Sequence, residues 1–267
     1  MSFKLTHLKS TFCILTLMAS MSTLAETLKV GIFAGKEYEV AEVAAKIAKE
    51  KFNLDVELIE FNDGVIPNEA LDNGDIDLNA FQHQPYLDEQ IQTRGYKLVT
   101  VGNSLVYPLA AYSYNIKSLD ELKNGSTVTL PNDATNLGRA LLLLEKQGLI
   151  SVDDAAGLNP TLLDVTENPK DLNLIELEAP LLARSLDDDT VGLSVINSNG
   201  ASIAGLTPAK DGLFMEDKES VYVNIIVARE DNKNDTAVKQ FVEAYQTDEV
   251  YKKAYEIFDG AVIKGWE

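Results

Sequence analysis

Cysteine is almost absent from this sequence, and the single residue present, Cys13, lies in an apolar stretch near the N-terminus. Without that stretch the chain has no means of forming disulfides, no thiolate metal site and no thiol nucleophile. Histidine is nearly as scarce, since beyond His7, which precedes that stretch, only His83 remains. A triple-histidine zinc site cannot be assembled from one imidazole. Neither standard glycine-rich phosphate loop occurs, and there is no G-x-S-x-G elbow. Basic residues are outnumbered, 23 Lys and Arg against 42 Asp and Glu, for a net charge of −19. No basic tract offsets that balance, so nucleic acid and anionic lipid are poor partners. Solubility is reason enough for the acidity, and Asp187-Asp188-Asp189 reads as a solvated loop rather than a cation site. In so acidic a chain, neighbouring carboxylates carry no catalytic information. There is no fixed-period repeat, no low-complexity linker and no apolar run long enough for a permanent membrane helix. The expectation is a protein without catalytic activity, cofactor or metal.

The first 25 residues differ from the rest. Lys4 and Lys9 form a basic start, Thr11 to Ala19 an apolar stretch, and Thr23 and Ala25 a small-residue exit. A buried N-terminal helix would show a polar face, and this stretch has none. The pattern is that of an export signal cleaved after Ala25. Losing the two lysines takes the net charge from −19 to −21. The composition that remains, within a chain 45% apolar and 24% charged, is that of a globular protein with enough apolar material for a core, or for two smaller ones.

Downstream, short β-rich runs alternate with longer helical ones. Strands are expected at Leu28 to Phe33, Val56 to Phe61 and Ile76 to Ala80. Between and after them come helices from Glu37 to Phe52, Pro67 to Asn73 and Pro85 to Arg94. Gly74 marks the end of the second helix. The theme repeats with a strand at Thr127 to Leu130, a helix at Thr135 to Gln147 closed by Gly148, and strands at Val191 to Ile196 and Tyr222 to Ala228. Thr236 to Phe258 reads as two amphipathic helices parted near Thr247-Asp248. Such alternation predicts α/β architecture with parallel sheet covered on both faces, in two lobes.

Three segments could carry chemistry. In Pro131-Asn132-Asp133-Ala134-Thr135-Asn136-Leu137-Gly138-Arg139 a strand ends and a helix opens, with Asp133 or Thr135 as the cap. Free N–H groups and the positive helix end favour an anion there. Asn136 and Arg139, three residues apart, share a helix face, and arginine can hold a carboxylate through two parallel bonds. An ordinary capped helix with a surface arginine has the same spacing. The second segment, Asn79 to Tyr86, lies at a strand's C-terminal end, where open α/β sheets bind ligands. Phe81, His83 and Tyr86 would form an apolar wall with polar tips, or a packed corner. Third, Tyr107, Asn197 and Asn224 lie in or at the ends of apolar runs. A buried amide there needs partners, which a structural cap could also supply.

Several long strings occur in order: PNEALDNGDIDLNAFQHQPYL, PNDATNLGRALLLL, LTPAKDGLF, EDKES and YVNIIVAREDNK. On these the chain, from about Leu28 to Trp266, resembles the methionine-binding lipoprotein family, the NlpA-type substrate-binding proteins of methionine ABC importers. The resemblance implies a two-lobed periplasmic-binding-protein fold of type II with a two-crossing hinge, closing on one amino acid. It implies lobes of residues 26–108 plus 225–267 and of residues 109–224. It places a carboxylate grip at Arg139 with Asn136 beside it, and ligand amino and carboxylate contacts at Asn197 and Asn224. Phe81, His83, Tyr86 and Tyr107 would wall the side chain. The implied ligand is methionine, in its L or D form or as a derivative. The implied partners are an inner-membrane ABC permease and its ATPase, met by a monomer. One departure bears on location. Ser10-Thr11-Phe12-Cys13 is no lipobox, because phenylalanine fills the small-residue position, and Ala25 is followed by no cysteine. The expectation is therefore a periplasmic protein without a lipid anchor. Rival readings are a binder of another small amino acid or peptide, a surface interaction protein, and a secreted hydrolase using His83.

Overall fold

The computed structural model describes residues 27–217 and 221–267. The expected export signal lies outside the described residues, as do the last three positions of the EDKES string.

The chain opens with β1 (Leu28–Phe33), α1 (Lys36–Phe52), β2 (Val56–Phe61), α2 (Ile66–Asn73), β3 (Leu78–His83), α3 (Gln84–Arg94), β4 (Leu98–Asn103) and the short β5 (Leu105–Val106). A second group follows: β6 (Ala110–Tyr112), β7 (Thr127–Pro131), α4 (Ala134–Lys146), β8 (Ser151–Val152), β9 (Val165–Glu167), β10 (Asn173–Leu177), α5 (Ala179–Ser185), β11 (Val191–Ile196), α6 (Ser198–Ile203), α7 (Pro208–Asp211) and β12 (Phe214–Met215). The chain ends with β13 (Asn224–Arg229), α8 (Thr236–Tyr245), α9 (Asp248–Ile257) and β14 (Ile263–Lys264).

Among the described residues ten strands form two five-stranded sheets, ordered β2-β1-β3-β13-β4 and β10-β7-β11-β6-β12, while β14 pairs with β5 and β8 with β9. β13 belongs to the first sheet although it follows β12 of the second in sequence. The backbone therefore crosses between sheets twice, at Tyr107–Leu109 and again between Met215 and Asn224. The architecture is two-lobed α/β.

The sheets are mixed, which corrects the expected parallel arrangement. β1 runs parallel to β2 and β3, but β13 is antiparallel to both β3 and β4. In the second sheet β6 and β12 are likewise antiparallel to their neighbours. Strand–helix–strand alternation specifies parallel neighbours through right-handed crossovers. β13 enters from the other sheet with no crossover helix, so its direction escapes that rule.

Both faces of each sheet are covered. Along β13, Ile226 and Ala228 join the core beneath α1, α8 and α9, while Ile225 and Val227 join the cluster with Leu71 of α2 and Leu87 of α3. This is the period-two alternation of a strand buried on both sides. Each fully buried aliphatic side chain of this kind contributes about 1.5–3 kcal/mol. The second sheet does the same: Leu193 and Val195 of β11 pack with Leu141 and Leu144 of α4, and Ile196 packs with Leu182 of α5.

Two boundaries differ from the sequence expectation in ways that matter for the site. β3 starts and ends later, so Phe81, Gln82 and His83 are strand residues, all six positions of the strand being buried. β13 starts at Asn224 rather than Tyr222, which places that asparagine at the strand's first position. Gly138 of α4 serves packing. A Cβ there would lie 2.7 Å from the backbone oxygen of Leu158 and 2.9 Å from the Cα of Asn159, so only glycine lets that loop lie against the helix beside Arg139.

Candidate functional site

A cavity of about 370 Å³ opens between the two sheets. It gathers the C-terminal ends of β1, β3, β7 and β11, the start of β13 and the first crossing, where α/β folds place ligands. All eight residues singled out from the sequence line it. Phe81, His83 and Tyr86 come from the first sheet's side, Asn136, Arg139 and Asn197 from the second's, and Tyr107 and Asn224 from the crossings.

The apolar wall is a set of edge-to-face rings. Phe81 meets Phe33 at 5.1 Å between centroids and 88° between planes, and meets Tyr86 at 6.3 Å and 76°. These arrangements are the favoured ones for aromatic quadrupoles. Phe33, at the end of β1, has no sequence signal beyond its strand and was not anticipated. Tyr86 donates its hydroxyl to the Gly64 carbonyl at 2.9 Å, and burial pushes that phenol's pKa up, so it remains a donor.

His83 caps α3. Its Nδ1 accepts the Tyr86 N–H at 3.1 Å, which leaves the proton on Nε2. Nε2 therefore donates to Asn136 Oδ1 at 3.2 Å. Burial, and then the charge of Arg139, lower the His83 pKa to about 3, so the ring is neutral at physiological pH. With both nitrogens engaged, this imidazole has no free lone pair for base catalysis. Among the described residues no cluster of three or more His, Cys, Asp or Glu is placed to hold a metal ion.

Asp133, not Thr135, is the cap of α4, accepting the Asn136 N–H at 2.9 Å. It also accepts the Asn136 amide at 3.0 and 3.1 Å. Asn136 Oδ1 accepts from Asn197 Nδ2 at 2.8 Å as well as from His83. Asn136 thus acts as the junction joining His83 of one sheet to Asn197 of the other. Asn197 precedes α6, yet its side chain does not cap that helix. The structural-cap reading fails for it, and its oxygen is left to the cavity. Asn224 donates to the Phe81 carbonyl at 3.3 Å, tying the start of β13 to β3.

Arg139 is buried and multiply held. Nε donates to Glu216 Oε1 at 2.6 Å, and Nη2 donates to Glu216 Oε2 and to the Tyr107 carbonyl, the latter at 3.0 Å. Its guanidinium lies 4.5 Å from the Tyr222 ring centroid. Glu216 Oε2 also accepts the Leu109 N–H at 3.0 Å. Among the described residues Nη1 has no protein acceptor. The fork that could grip a carboxylate on two parallel bonds is therefore occupied along its Nε–Nη2 side by Glu216. Glu216 lay inside a string quoted from the sequence, but nothing local announced its pairing with a residue 77 positions away.

A second set of contacts joins the lobes. Lys36 Nζ donates to Thr207 Oγ1 at 2.8 Å, and the Lys36 N–H to Ser202 Oγ at 3.3 Å.

The NlpA lipoprotein family model matches residues 28–266. A protein of Yersinia pestis named D-methionine-binding lipoprotein MetQ is 67% identical over 239 residues, covering 90% of this chain and 88% of the relative. A nutrient binding protein from Burkholderia cenocepacia, solved bound to methionine, superposes with a TM-score of 0.86 at 46% identity, over 90% of this chain and 100% of that one. A periplasmic substrate-binding protein of an ABC transporter from Coxiella burnetii gives 0.85 at 44% identity, over 90% and 100%. The lipoprotein names overturn the expectation of a protein without a lipid anchor. That expectation rested on Phe12 before Cys13 and on the lack of a cysteine after Ala25, both in a segment that precedes the matched residues 28–266. Kinship across the whole folded chain outweighs it.

Proposed function

Because this chain belongs to the NlpA lipoprotein family, we propose that it is the substrate-binding component of an ABC importer and that its inter-lobe cavity holds one methionine. The observation that carries this reading is the cavity itself, whose lining combines an aromatic wall, a buried arginine whose Nη1 has no acceptor among the described residues, and the asparagines Asn197 and Asn224. A zwitterion with a thioether tail needs each of these groups. The volume of about 370 Å³ is near the lower end of the roughly 300–1,000 Å³ of small-molecule sites, which favours a single amino acid over a peptide.

Arg139 Nη1 receives the ligand carboxylate, with Asn197 and Asn224 supplying amide contacts. Phe81, Tyr86, Tyr107 and the neutral edge of His83 enclose the side chain, and Asn136 orients His83 and Asn197. Burying the tail contributes about 1.5–3 kcal/mol, with a further ~0.3–1.5 kcal/mol from sulfur over aromatic edges. Residues 26–108 with 225–267 form one lobe and residues 109–224 the other. The ligand touches both, so it favours the closed arrangement. The protein acts as a monomer without catalytic activity and passes its ligand to a permease driven by an ATPase. Native mass spectrometry of the purified protein tests this: a co-purifying methionine supports the reading, and a different small molecule in the cavity refutes it.

A further inference from the structure

Four carboxylates line the cavity, those of Glu37, Asp63, Asp133 and Glu178. Three are accounted for. Asp63 accepts the Val65 and Ile66 N–H groups at 2.8 and 2.9 Å. Asp133 is consumed by the α4 cap and by Asn136. Glu178 is exposed to solvent. Glu37 alone is both buried, at 4% exposure, and without a hydrogen-bond donor on either oxygen among the described residues, its Oε2 being sealed from solvent altogether. It stands in the first turn of α1, where helix-end N–H groups favour a negative charge. A buried carboxyl left unpaired is costly and calls for a partner.

We propose that Glu37 is the ammonium-binding carboxylate of this cavity, taking the α-amino group of the bound amino acid while Arg139 takes its carboxylate. The assignment rests on the amino-acid-binding reading of the site. An ammonium has three donors and a full positive charge, the chemistry that an unpaired buried carboxylate lacks.

The groups facing Glu37 do not supply that charge. Tyr107, from the first crossing, and Tyr245, from α8, are its titratable neighbours, and burial keeps both phenols neutral. Lys36 turns away to Thr207 and the Phe258 ring. Across the cavity His83 is neutral and Arg139 is paired with Glu216. In the unliganded protein burial accordingly raises the Glu37 pKa to about 8, so at pH 7 the carboxyl holds a proton. Arrival of an ammonium favours the carboxylate and expels that proton to solvent. Binding is then coupled to proton release, and affinity rises with pH toward about 8 and falls again once the ligand's own ammonium loses its proton.

The test is calorimetric titration at pH 7 in two buffers of different ionisation enthalpy. The ligands are methionine and 4-(methylthio)butanoate, which keeps the carboxylate and thioether but has no amine. Wild type should release close to one proton with methionine and none with the deaminated analogue, and should bind the analogue at least tenfold more weakly. Glu37→Gln should bind methionine at least tenfold more weakly without proton release, and bind the analogue as wild type does. Equal affinity for methionine in folded Glu37→Gln, or equal losses for both ligands, would overturn the assignment. Should that variant not fold, the two ligands on wild type decide: the same proton release with both refutes it. If wild type binds no methionine at all, the amino-acid reading itself falls, and the role of Glu37 with it.

Discussion

Arg139 and Glu216 meet side to side in the interior, with Nε on Oε1 at 2.6 Å and Nη2 on Oε2. The pair joins α4 to the segment that returns the chain to the first lobe, and through the Leu109 N–H it also reaches the outgoing crossing. This arginine of the cavity lining is therefore tied to both connections between the two sheets.

This pairing separates two effects of mutation. Arg139→Ala removes the anion partner and strands Glu216, which is 12% exposed. Methionine affinity should fall at least tenfold, since bonds to charged groups contribute about 1.5–3 kcal/mol. Breaking one side of a buried pair should also cost roughly 3–5 kcal/mol of stability. Adding Glu216→Gln to Arg139→Ala should recover much of the stability and none of the affinity. Thermal unfolding and calorimetry on the single and double variants check this. Recovery of affinity in the double variant would refute the assigned role of Arg139.

His83 should not titrate across the physiological range. Its folded pKa, about 3, lies below the unfolded value near 6.5. The folded state thus binds fewer protons than the unfolded one between these values. The stability it contributes is complete above about pH 6.5 and is lost as pH falls toward 3. NMR of the His83 ring should show one neutral tautomer, protonated at Nε2, from pH 5 to 8. A midpoint near 6.5 would show that the ring is not held as described.

Lobe closure should depend on Asn224, which stands at the return crossing and lines the cavity. Asn224→Ala should weaken methionine binding and reduce compaction on binding, while leaving the unliganded fold intact. Small-angle scattering with and without methionine reads this directly. No compaction in wild type, or equal compaction in the variant at the same ligand concentration, would contradict a clamp at this position.

Much of this organisation can be read from the sequence, and the remainder has identifiable causes. Strands such as Leu28–Phe33 and Val191–Ile196 agree with their expected bounds because apolar runs flanked by turn residues define them locally. The break between α8 and α9 at Thr247 is equally local, a capping side chain accepting the Val250 N–H. The antiparallel direction of β13 is not local, since it depends on a chain returning from another sheet. β4 and β10 also escaped the pattern: most of their residues are only partly buried or exposed, so neither strand presents a clean buried face. In the site, the eight residues singled out from the sequence all line one cavity. Phe33, Glu37 and Glu216 were missed, because what distinguishes each is a partner, or the lack of one, far along the chain.

The central claim, that the cavity between the lobes holds one methionine, is tested most directly by calorimetric titration of ligand-free wild type with methionine. The account predicts saturation at one methionine per chain. Absence of a binding heat in protein shown to be folded and ligand-free, at several temperatures, would contradict it.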